Sequence, residues 1–297
     1  MTTDDFLNYL RYERNYSERT VQSYGEDLKA FESYFKNSED HEPQTWESVD
    51  SDVIRDWMEH MMDKGNNATS INRRLSALRS FYRFALARGM VQRDPAHGVT
   101  GPKKAKVLPQ FVKEKEMDQL LDEMHWQEDD YKDVRARTII ITFYTTGIRL
   151  SELTGLDDAM VDFDNCQLKV TGKRNKQRII PFGEELKESL RRYMDIRDNT
   201  FGVRQTTALF VSDKGKRMTS PQVRDIVKAR LSQVSTLKKR SPHVLRHTFA
   251  TTMLNHDAGL ESVKKLLGHE SLTTTEIYTH TTFEQLKRVY EKAHPRA

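Results

Sequence analysis

A stretch in the first half of the chain, DPAHGVTGPKKAKVLPQFVKEKE at residues 94–116, most limits what the 297 residues can fold into. It contains Pro95, Pro102 and Pro109, two glycines and a cluster of lysines. Because proline lacks a backbone N–H and glycine loses the most entropy on ordering, this composition suits neither a helix nor a strand. A chain of this length can also build two separate cores. We therefore predict a domain at 1–95, a basic linker at 96–112 and a second domain at 113–297.

The residues before the linker predict a small helical bundle. Apolar residues recur at helical spacing in four segments, of which the third contains Val53, Trp57 and Met61 and the fourth runs from about Thr69 to Gly89. No alternating strand pattern interrupts them. Four short helices suffice for one bundle with its own core.

Charge is distributed unevenly over this first part. Residues 1–67 carry seven Lys or Arg against sixteen Asp or Glu, a net charge of −9, whereas residues 68–88 carry five arginines and no acid. Basic residues gathered on one helix favour a polyanion, and a basic linker lets two domains reach around one long anionic ligand. The alternative is an ordinary solvated helix face. The candidate DNA-binding residues are Arg73, Arg74, Arg79 and Arg83 on the helix and Lys103 and Lys104 in the linker.

The residues after the linker predict a mixed domain. Helices are expected at 114–124 and 134–145, and an alternating stretch at 162–182 predicts a β-hairpin whose strands join around residues 172–177. The segment ALFVS at 208–212 is a further candidate strand, and helices return from Ser220. The expected fold class is mainly α with a small β-hairpin or sheet.

Composition excludes several classes of protein. No apolar run approaches the roughly 18 residues that a membrane span needs, and the acidic start MTTDDFLNYL is unlike a signal peptide. The single cysteine, Cys166, excludes an internal disulfide framework and a cysteine-rich zinc site. We therefore expect a cytoplasmic protein with no membrane partner.

Two helix starts carry candidate anion ligands. In TTGIRLSELTGL (145–156), Arg149 follows a Gly break, and Glu152 one turn later could hold it in position. The alternative is an ordinary Arg–Glu surface pair. In SPHVLRHTFATTML (241–254), His243 and Arg246 share one helix face and could meet the same phosphate. His243 and His247 have zinc-ligand spacing, but the H-E-x-x-H glutamate is missing, so we predict no metal.

Two further segments add a lysine, a histidine and a tyrosine to the candidate site. Lys173 lies at the predicted hairpin turn, where the alternative is a solvated loop tip. In LLGHESLTTTEIYTH (266–280), His269 follows a helix-ending glycine, and Tyr278 follows three threonines. A late tyrosine is usually a packing residue. Together, however, two arginines, two histidines, a lysine and a tyrosine suit phosphoryl transfer on a phosphodiester, with tyrosine as covalent nucleophile and no cofactor.

The motifs TGIRLSEL, GKRNKQRIIP, HVLRHTFAT, LLGH and TTEIYTH, in this order, resemble signatures of the tyrosine recombinases of the λ-integrase family, most closely the bacterial Xer recombinases. The resemblance covers about the whole chain. It departs at Arg174, where similar enzymes often carry glycine.

The resemblance implies a role for each residue. Arg149 and Arg246 would be the two catalytic arginines, with Arg149 on the scissile phosphate. Lys173 would be the general acid to the leaving 5′ oxygen, and His243 the general base or a phosphate ligand. His269 would hydrogen-bond a non-bridging oxygen, and Tyr278 would form the 3′-phosphotyrosyl link.

The resemblance also implies an architecture and partners. A SAM-like core-binding domain and a catalytic domain would form a C-shaped clamp around double-stranded DNA at a dif-like site. Four protomers, identical or paired with a paralogous Xer recombinase, would exchange strands through a Holliday junction without metal or ATP. The expected role is resolution of chromosome or plasmid dimers at cell division, near the nucleoid, with a septal DNA translocase of the FtsK type as a further partner.

The C-terminal tail has two interpretations. Phe283, Leu286 and Tyr290 have helical spacing, and by resemblance this helix would dock into a neighbouring protomer. The alternative is packing against its own domain.

Three other functions compete. A type IB topoisomerase shares the covalent chemistry, and a mobile-element integrase shares the family but commonly adds an arm-binding domain. A non-catalytic DNA-binding protein would rely on Arg73, Arg79 and Arg83 and would leave Tyr278 unexplained.

Overall fold

The computed structural model describes residues 3–37, 44–104, 110–121, 126–172, 176–268 and 280–297. Two compact units form, Met1–Val107 and Leu108–Ala297. The expected fold class is confirmed, since helices dominate and the described strands form one small antiparallel sheet. No helix within the described ranges is long and apolar enough to cross a membrane.

The first unit is a helical bundle in which α3 and α4 begin at side-chain caps. The Asp50 carboxylate accepts hydrogen bonds from the N–H groups of Asp52 and Val53, and the Asn67 side chain accepts one from Ser70. The core is rich in aromatic rings, with Trp46 packed against Phe31, Phe35 and Phe81. The helices are α1 (Thr3–Asn8, continued by a π-helical turn Tyr9–Glu13), α2 (Glu18–Asn37), α3 (Ser51–Asp63) and α4 (Ala68–Ala87).

This unit extends beyond the boundary expected at residue 95. Ala96 and Val99 are fully buried in its core, and Arg79 on α4 donates hydrogen bonds to both of their carbonyl oxygens. Asn72 Nδ2 also donates to the Pro102 carbonyl at 2.8 Å. A segment rich in proline and glycine thus lacks regular structure but is still anchored, because side chains satisfy its backbone.

The second unit contains the remaining elements. Strand β2 (Gln167–Thr171) pairs antiparallel with β1 (Val161–Asp162) on one side and with β3 (Gln177–Pro181) on the other. The β2–β3 pair confirms the predicted hairpin. The helices are α5 (Glu114–Leu121), α6 (Tyr131–Thr146), α7 (Leu150–Thr154), α8 (Glu184–Phe201), α9 (Ser220–Val234), α10 (Pro242–Asn255), α11 (Leu260–Leu267) and α12 (His280–Ala293).

The prediction of a strand at 208–212 was wrong. Only isolated bridges form there, Asp157 with Ala208 and Val211 with Arg217. Leu209 donates its N–H to the Leu156 carbonyl, and the Phe210 carbonyl accepts from Met218. The apolar run reflects burial in the core, which a buried loop satisfies as well as a strand does.

Helix α6 lies at the centre of the second unit and is buried on nearly every side. It packs against α8 and α10. Its buried hydroxyls donate to carbonyl oxygens four residues earlier and so need no other partner. These hydroxyls belong to Thr138, Thr142, Thr145 and Thr146.

In this single chain, the C-terminal helix packs on its own unit. Leu286 and Tyr290 of α12 are buried together with Phe249 and Met253 of α10. This arrangement matches the second interpretation of the tail. Docking into a neighbouring protomer stays a prediction.

Candidate active site

The site begins where α6 ends. Gly147 has φ 58°, the left-handed conformation that ends many helices, and a Cβ there would clash with the side chains of Phe249 and Leu267. The chain then turns directly into α7, with Arg149 as its N-cap. Helix packing therefore fixes the position of this arginine.

Glu152 holds Arg149 through two contacts. Its Oε2 accepts from the Arg149 backbone N–H at 2.7 Å, and its Oε1 accepts from Arg149 Nη1 at 2.9 Å. Glu152 is 4% exposed, so this is not the solvated surface pair that the sequence left open. The Arg149 side chain remains about one-third exposed, at 31%.

Arg178 is the residue whose role sequence reasoning missed. It lies on β3, within the motif GKRNKQRIIP, is 7% exposed, and binds both carboxylate oxygens of Glu152 at 2.5 and 3.0 Å. Burial would raise the pKa of Glu152, but the hydrogen bonds and charge of Arg178, followed by those of Arg149, hold the pKa below its usual value. The alternation of β3 contained a signal, because Arg178 and Ile180 share its inward face.

Arg246 enters from the first turns of α10, which begins with Pro242. Its Nη1 donates to the Gly147 carbonyl at 2.5 Å and its Nη2 to the Leu267 carbonyl at 2.7 Å. Burial, and then the nearby charges of Arg149 and Arg178, lower the pKa of Arg246 to about 10. The guanidinium is therefore still charged at neutral pH.

Three arginines converge on the end of α11. Arg178 Nε donates to the Leu266 carbonyl at 3.1 Å, and Arg149 Nη2 donates to the Gly268 carbonyl at 2.8 Å. With the Arg246 bond to Leu267, three consecutive carbonyls are engaged by three separate elements. The last carbonyls of a helix lack partners within the helix and form its negative end. Helix α11 therefore positions these cations through its backbone.

His243 lies one turn before Arg246 on α10 and is exposed. Partial desolvation, followed by the charges of His247, Arg246, Arg149 and Arg224, lowers its pKa below 6.5. The imidazole is therefore mostly neutral at pH 7. Two guanidiniums with a neutral imidazole nearby suit a phosphate whose attacking group must lose a proton.

Lys173, His269 and Tyr278, with Arg174, lie outside the described residues. Their flanks are defined. The Gly172 N–H donates to the Lys176 carbonyl at 2.7 Å across the base of the hairpin turn, Gly268 ends α11, and α12 begins at His280.

The candidate DNA-binding residues divide into two groups. Arg73 pairs with the buried Asp27, Arg74 lies 3.7 Å from the same carboxylate, and Arg79 donates to backbone carbonyls. These three have structural partners within the first unit. Arg83, Lys103 and Lys104 are exposed. In the part of the chain that the structure describes, no three His, Cys, Asp or Glu side chains gather into a metal-binding group.

Comparison of the sequence with protein-family models identifies the family of this chain. Residues 3–89 match the model of the phage integrase N-terminal SAM-like domain, and residues 110–285 match the model of the phage integrase family. The chain therefore belongs to the phage integrase family, the tyrosine recombinases, enzymes that cleave and rejoin DNA at specific sites.

The similar proteins within this family include tyrosine recombinases named XerC. The tyrosine recombinase XerC of Chlorobaculum parvum is 40% identical over 319 residues, covering 99% of this chain and 94% of that protein. The XerC of Staphylococcus carnosus is 37% identical over 294 residues, covering 99% and 97%.

Solved structures share the fold. A XerH recombinase bound to a palindromic difH substrate has a TM-score of 0.73 at 20% identity, covering 93% of this chain and 80% of that one. The Tn1549 transposon integrase in complex with transposon right end DNA has a TM-score of 0.72 at 20% identity, covering 98% and 99%.

Proposed function

We propose that this chain resolves dimers of the chromosome, or of plasmids, at cell division by site-specific recombination. The observation that carries the proposal is the arrangement of Arg149 and Arg246, both fixed on the end of α11. The near full-length similarity to recombinases named XerC supports this role over others in the family.

The proposed chemistry uses two linked proton transfers. The Tyr278 oxygen attacks the scissile phosphorus while His243 accepts the phenolic proton, and the P–O5′ bond breaks as Lys173 gives a proton to the leaving oxygen. Arg149, Arg246 and His269 stabilise the charge on the non-bridging oxygens. The product is a 3′-phosphotyrosyl enzyme and a free 5′ hydroxyl. Attack by another 5′ hydroxyl reverses these steps, so rejoining needs no ATP.

The proposed substrate is a dif-like duplex site close to the nucleoid in the cytoplasm. Two strand exchanges need four protomers, which would be copies of this chain or a mixture with a paralogous Xer recombinase. A septal DNA translocase of the FtsK type would activate the assembly. Helix α12 would leave its own unit and dock into a neighbouring protomer, because its apolar face can fill an equivalent site there.

DNA contacts are proposed at the exposed cations. Arg83, Lys103 and Lys104 can reach phosphates without breaking contacts within the first unit. Arg73 and Arg74 can also contact DNA, but they must share their charge with Asp27. Arg79 would act indirectly, by holding the segment before the lysines on α4.

A trapped covalent adduct tests the proposed chemistry. Protein is incubated with a nicked suicide duplex carrying the host's chromosome-dimer-resolution site and with EDTA, and adducts are separated on a denaturing gel. Wild type should form an adduct and Tyr278→Phe should not, while both bind DNA equally. Tyr12→Phe, at an exposed tyrosine of the first unit, is the matched control and should form the adduct. An adduct with Tyr278→Phe would disprove the assignment of the nucleophile.

A supercoiled plasmid with two direct copies of the same site distinguishes the cellular roles. Resolution into two circles, by this chain alone or with its paralogue, is expected of a dimer-resolving enzyme. Activity only between unlike element ends would favour the mobile-element integrase.

A further inference from the structure

Every acceptor position of the Glu152 carboxylate is occupied. A carboxylate offers about four lone-pair sites. Arg149 fills two of them, with its backbone N–H and Nη1, and Arg178 fills the other two with a two-pronged contact. Because Arg178 occupies two of the lone-pair sites of Glu152, only the other two are left to accept from Arg149. The orientation of Arg149 on Glu152 therefore depends on Arg178.

Arg178 also joins three elements. It lies on β3 opposite Val170 of β2, at the base of the hairpin, and contacts Glu152 of α7 and the Leu266 carbonyl of α11. Gly268 leaves room for Arg178, because a Cβ there would lie 3.1 Å from Arg178 Cδ and 3.2 Å from its Nε and would press on the side chain. Two features therefore favour glycine at position 268, its positive φ and the close approach of the Arg178 side chain.

We propose that Arg178 is a positioning residue of the DNA cleavage reaction: its fork on Glu152 and its bond to the Leu266 carbonyl set the orientation in which Arg149 is presented to the scissile phosphate. This inference rests on the proposed function, since it assigns the phosphate to Arg149. Arg178 itself is 7% exposed and needs no contact with DNA.

The charges around Glu152 make the proposal testable by pH. Arg149 from the start of α7, Arg178 from β3 and Arg246 from α10 face this region. Without Arg178, the buried carboxylate keeps Arg149 as its one direct side-chain partner among the described residues, and its pKa rises. Protonation then removes an acceptor from Arg149, so cleavage should weaken further as the pH falls.

The test measures adduct formation on the nicked suicide duplex at saturating DNA, from pH 7.5 to 5.5. Arg178→Met should slow cleavage about 100-fold at pH 7.5, the size of effect that a misplacement of about 1 Å produces, with DNA affinity within about threefold of wild type. The ratio of wild-type to variant rate should grow as the pH falls. Taking this ratio cancels the titration of His243, which both proteins share.

Two further variants separate charge from geometry. Arg178→Lys keeps the cation but loses the fork, so cleavage should be slow while the ratio to wild type stays flat with pH. In the double variant Glu152→Gln, Arg178→Met, the titrating carboxyl is gone, and the ratio should again be flat.

The matched control is Arg135→Met. Arg135 is buried to a similar extent, at 6% exposed, and pairs with Asp213 away from this site. Its loss should lower stability but leave cleavage by the folded protein within about threefold of wild type at every pH. The proposal is overturned if Arg178→Met cleaves within threefold of wild type, if more DNA restores its rate, or if its ratio to wild type is flat with pH.

A direct titration separates this inference from the proposed function. Protein labelled with carbon-13 at glutamate carboxyls is titrated by NMR, and the Glu152 signal is assigned by its loss in Glu152→Gln. The pKa of Glu152 should rise in Arg178→Met and should change little in Arg178→Lys, which keeps the positive charge. No adduct from wild type would refute the proposed function, and an unmoved Glu152 titration would refute the role of Arg178.

Discussion

At the scale of single residues, the site carries more positive than negative charge, and its arginines are held by backbone carbonyls and one buried carboxylate. Burial, and then the charges of Arg149 and Arg178, lower the pKa of Arg246, and Glu152 is the buried acid that offsets this positive charge. A fixed cationic cluster stabilises an incoming phosphate more than a solvated one does, because its dipoles and charges need not reorganise.

We expect the pH dependence of cleavage to report His243. Its pKa is lowered below 6.5, so the neutral form that can accept a proton persists at neutral pH and is lost only in acid. Adduct formation should therefore decline as the pH falls below 6.5, and His243→Gln should lack this decline at a rate lower by roughly 100-fold. A single-turnover pH profile measures both.

His247→Gln provides the control for this prediction. His247 is the neighbouring histidine whose electrostatic effect helps to lower the pKa of His243. Its removal should move the acid limb towards higher pH with little change in the plateau rate. If the decline of the cleavage rate at acidic pH is unchanged in both His243→Gln and His247→Gln, a group other than His243 causes it.

Sequence reasoning could find Arg149 with Glu152, and His243 with Arg246, because each pair lies within one helical turn. It could not assign Arg178, which meets Glu152 across 26 residues. Nor could it find the acceptors at 266–268, since backbone carbonyls are present at every residue and leave no pattern.

At the scale of elements, the site depends on how helices end. Gly147 ends α6 and Gly268 ends α11, both with positive φ, and Arg246 links the two ends through the carbonyls of Gly147 and Leu267. The lengths of these helices therefore decide where the arginines meet.

Gly147→Ala should destabilise the second unit by about 2–4 kcal/mol, because backbone strain is added to overpacking. The added methyl would clash with Phe249 and would lie 2.8 Å from Leu267 Cδ2. Gly89→Ala, also at positive φ but with open space around its Cβ, should cost only about 1–2 kcal/mol. Urea unfolding followed by circular dichroism measures both, and equal losses would exclude the packing contribution.

A second element-scale prediction concerns the chain just after α12. The His294 ring stacks on Phe249 and Tyr290, its Nε2 lies 3.1 Å from the Tyr144 carbonyl, and its Nδ1 accepts from the Arg296 N–H. This pattern requires a neutral ring with the proton on Nε2. Burial lowers the pKa of His294 to about 4.

Stability should therefore fall as the pH drops from about 6.5 to about 4, because the unfolded state binds a proton that the folded state refuses. The full loss is roughly 3 kcal/mol, and it is absent above pH 6.5. Urea unfolding from pH 7.5 to 4.5 should show a shallower slope for His294→Gln than for wild type. His97→Gln, at an exposed histidine, should retain the wild-type slope.

Elements with local signals were predictable. Caps, helix-ending glycines and alternation located most helices and the hairpin, whereas the run at 208–212 was misassigned because apolar content reports burial and not hydrogen bonding. The position of α12 has no local signal, since its apolar face fits its own unit in this chain.

At the scale of the whole molecule, charge is segregated along the chain. The first 67 residues carry a net −9, while the helix after them and the segment leading to the second unit are basic. Like charge repels DNA from most of the first unit, so contact should concentrate on the basic part.

Salt dependence tests this distribution. Each lysine that contacts a phosphate releases counterions, so Lys103→Ala and Lys104→Ala should each reduce the slope of log affinity against log salt by about 1. Lys36→Ala should leave the slope unchanged, because Lys36 pairs with Glu32 in the acidic part. Fluorescence anisotropy at several salt concentrations measures the slopes, and equal effects of all three would contradict a localised face.

The anchoring of three arginines on main-chain carbonyls affects how this protein can change by mutation. A point mutation can remove any side chain, but none can delete the carbonyls of residues 266–268. The acceptor of each hydrogen bond is therefore kept whatever the side chain at that position. Selection has to preserve only the three arginine donors and the glycine at 268. In a saturation library, other apolar residues should be accepted at 266 and 267, whereas position 268 should return glycine alone.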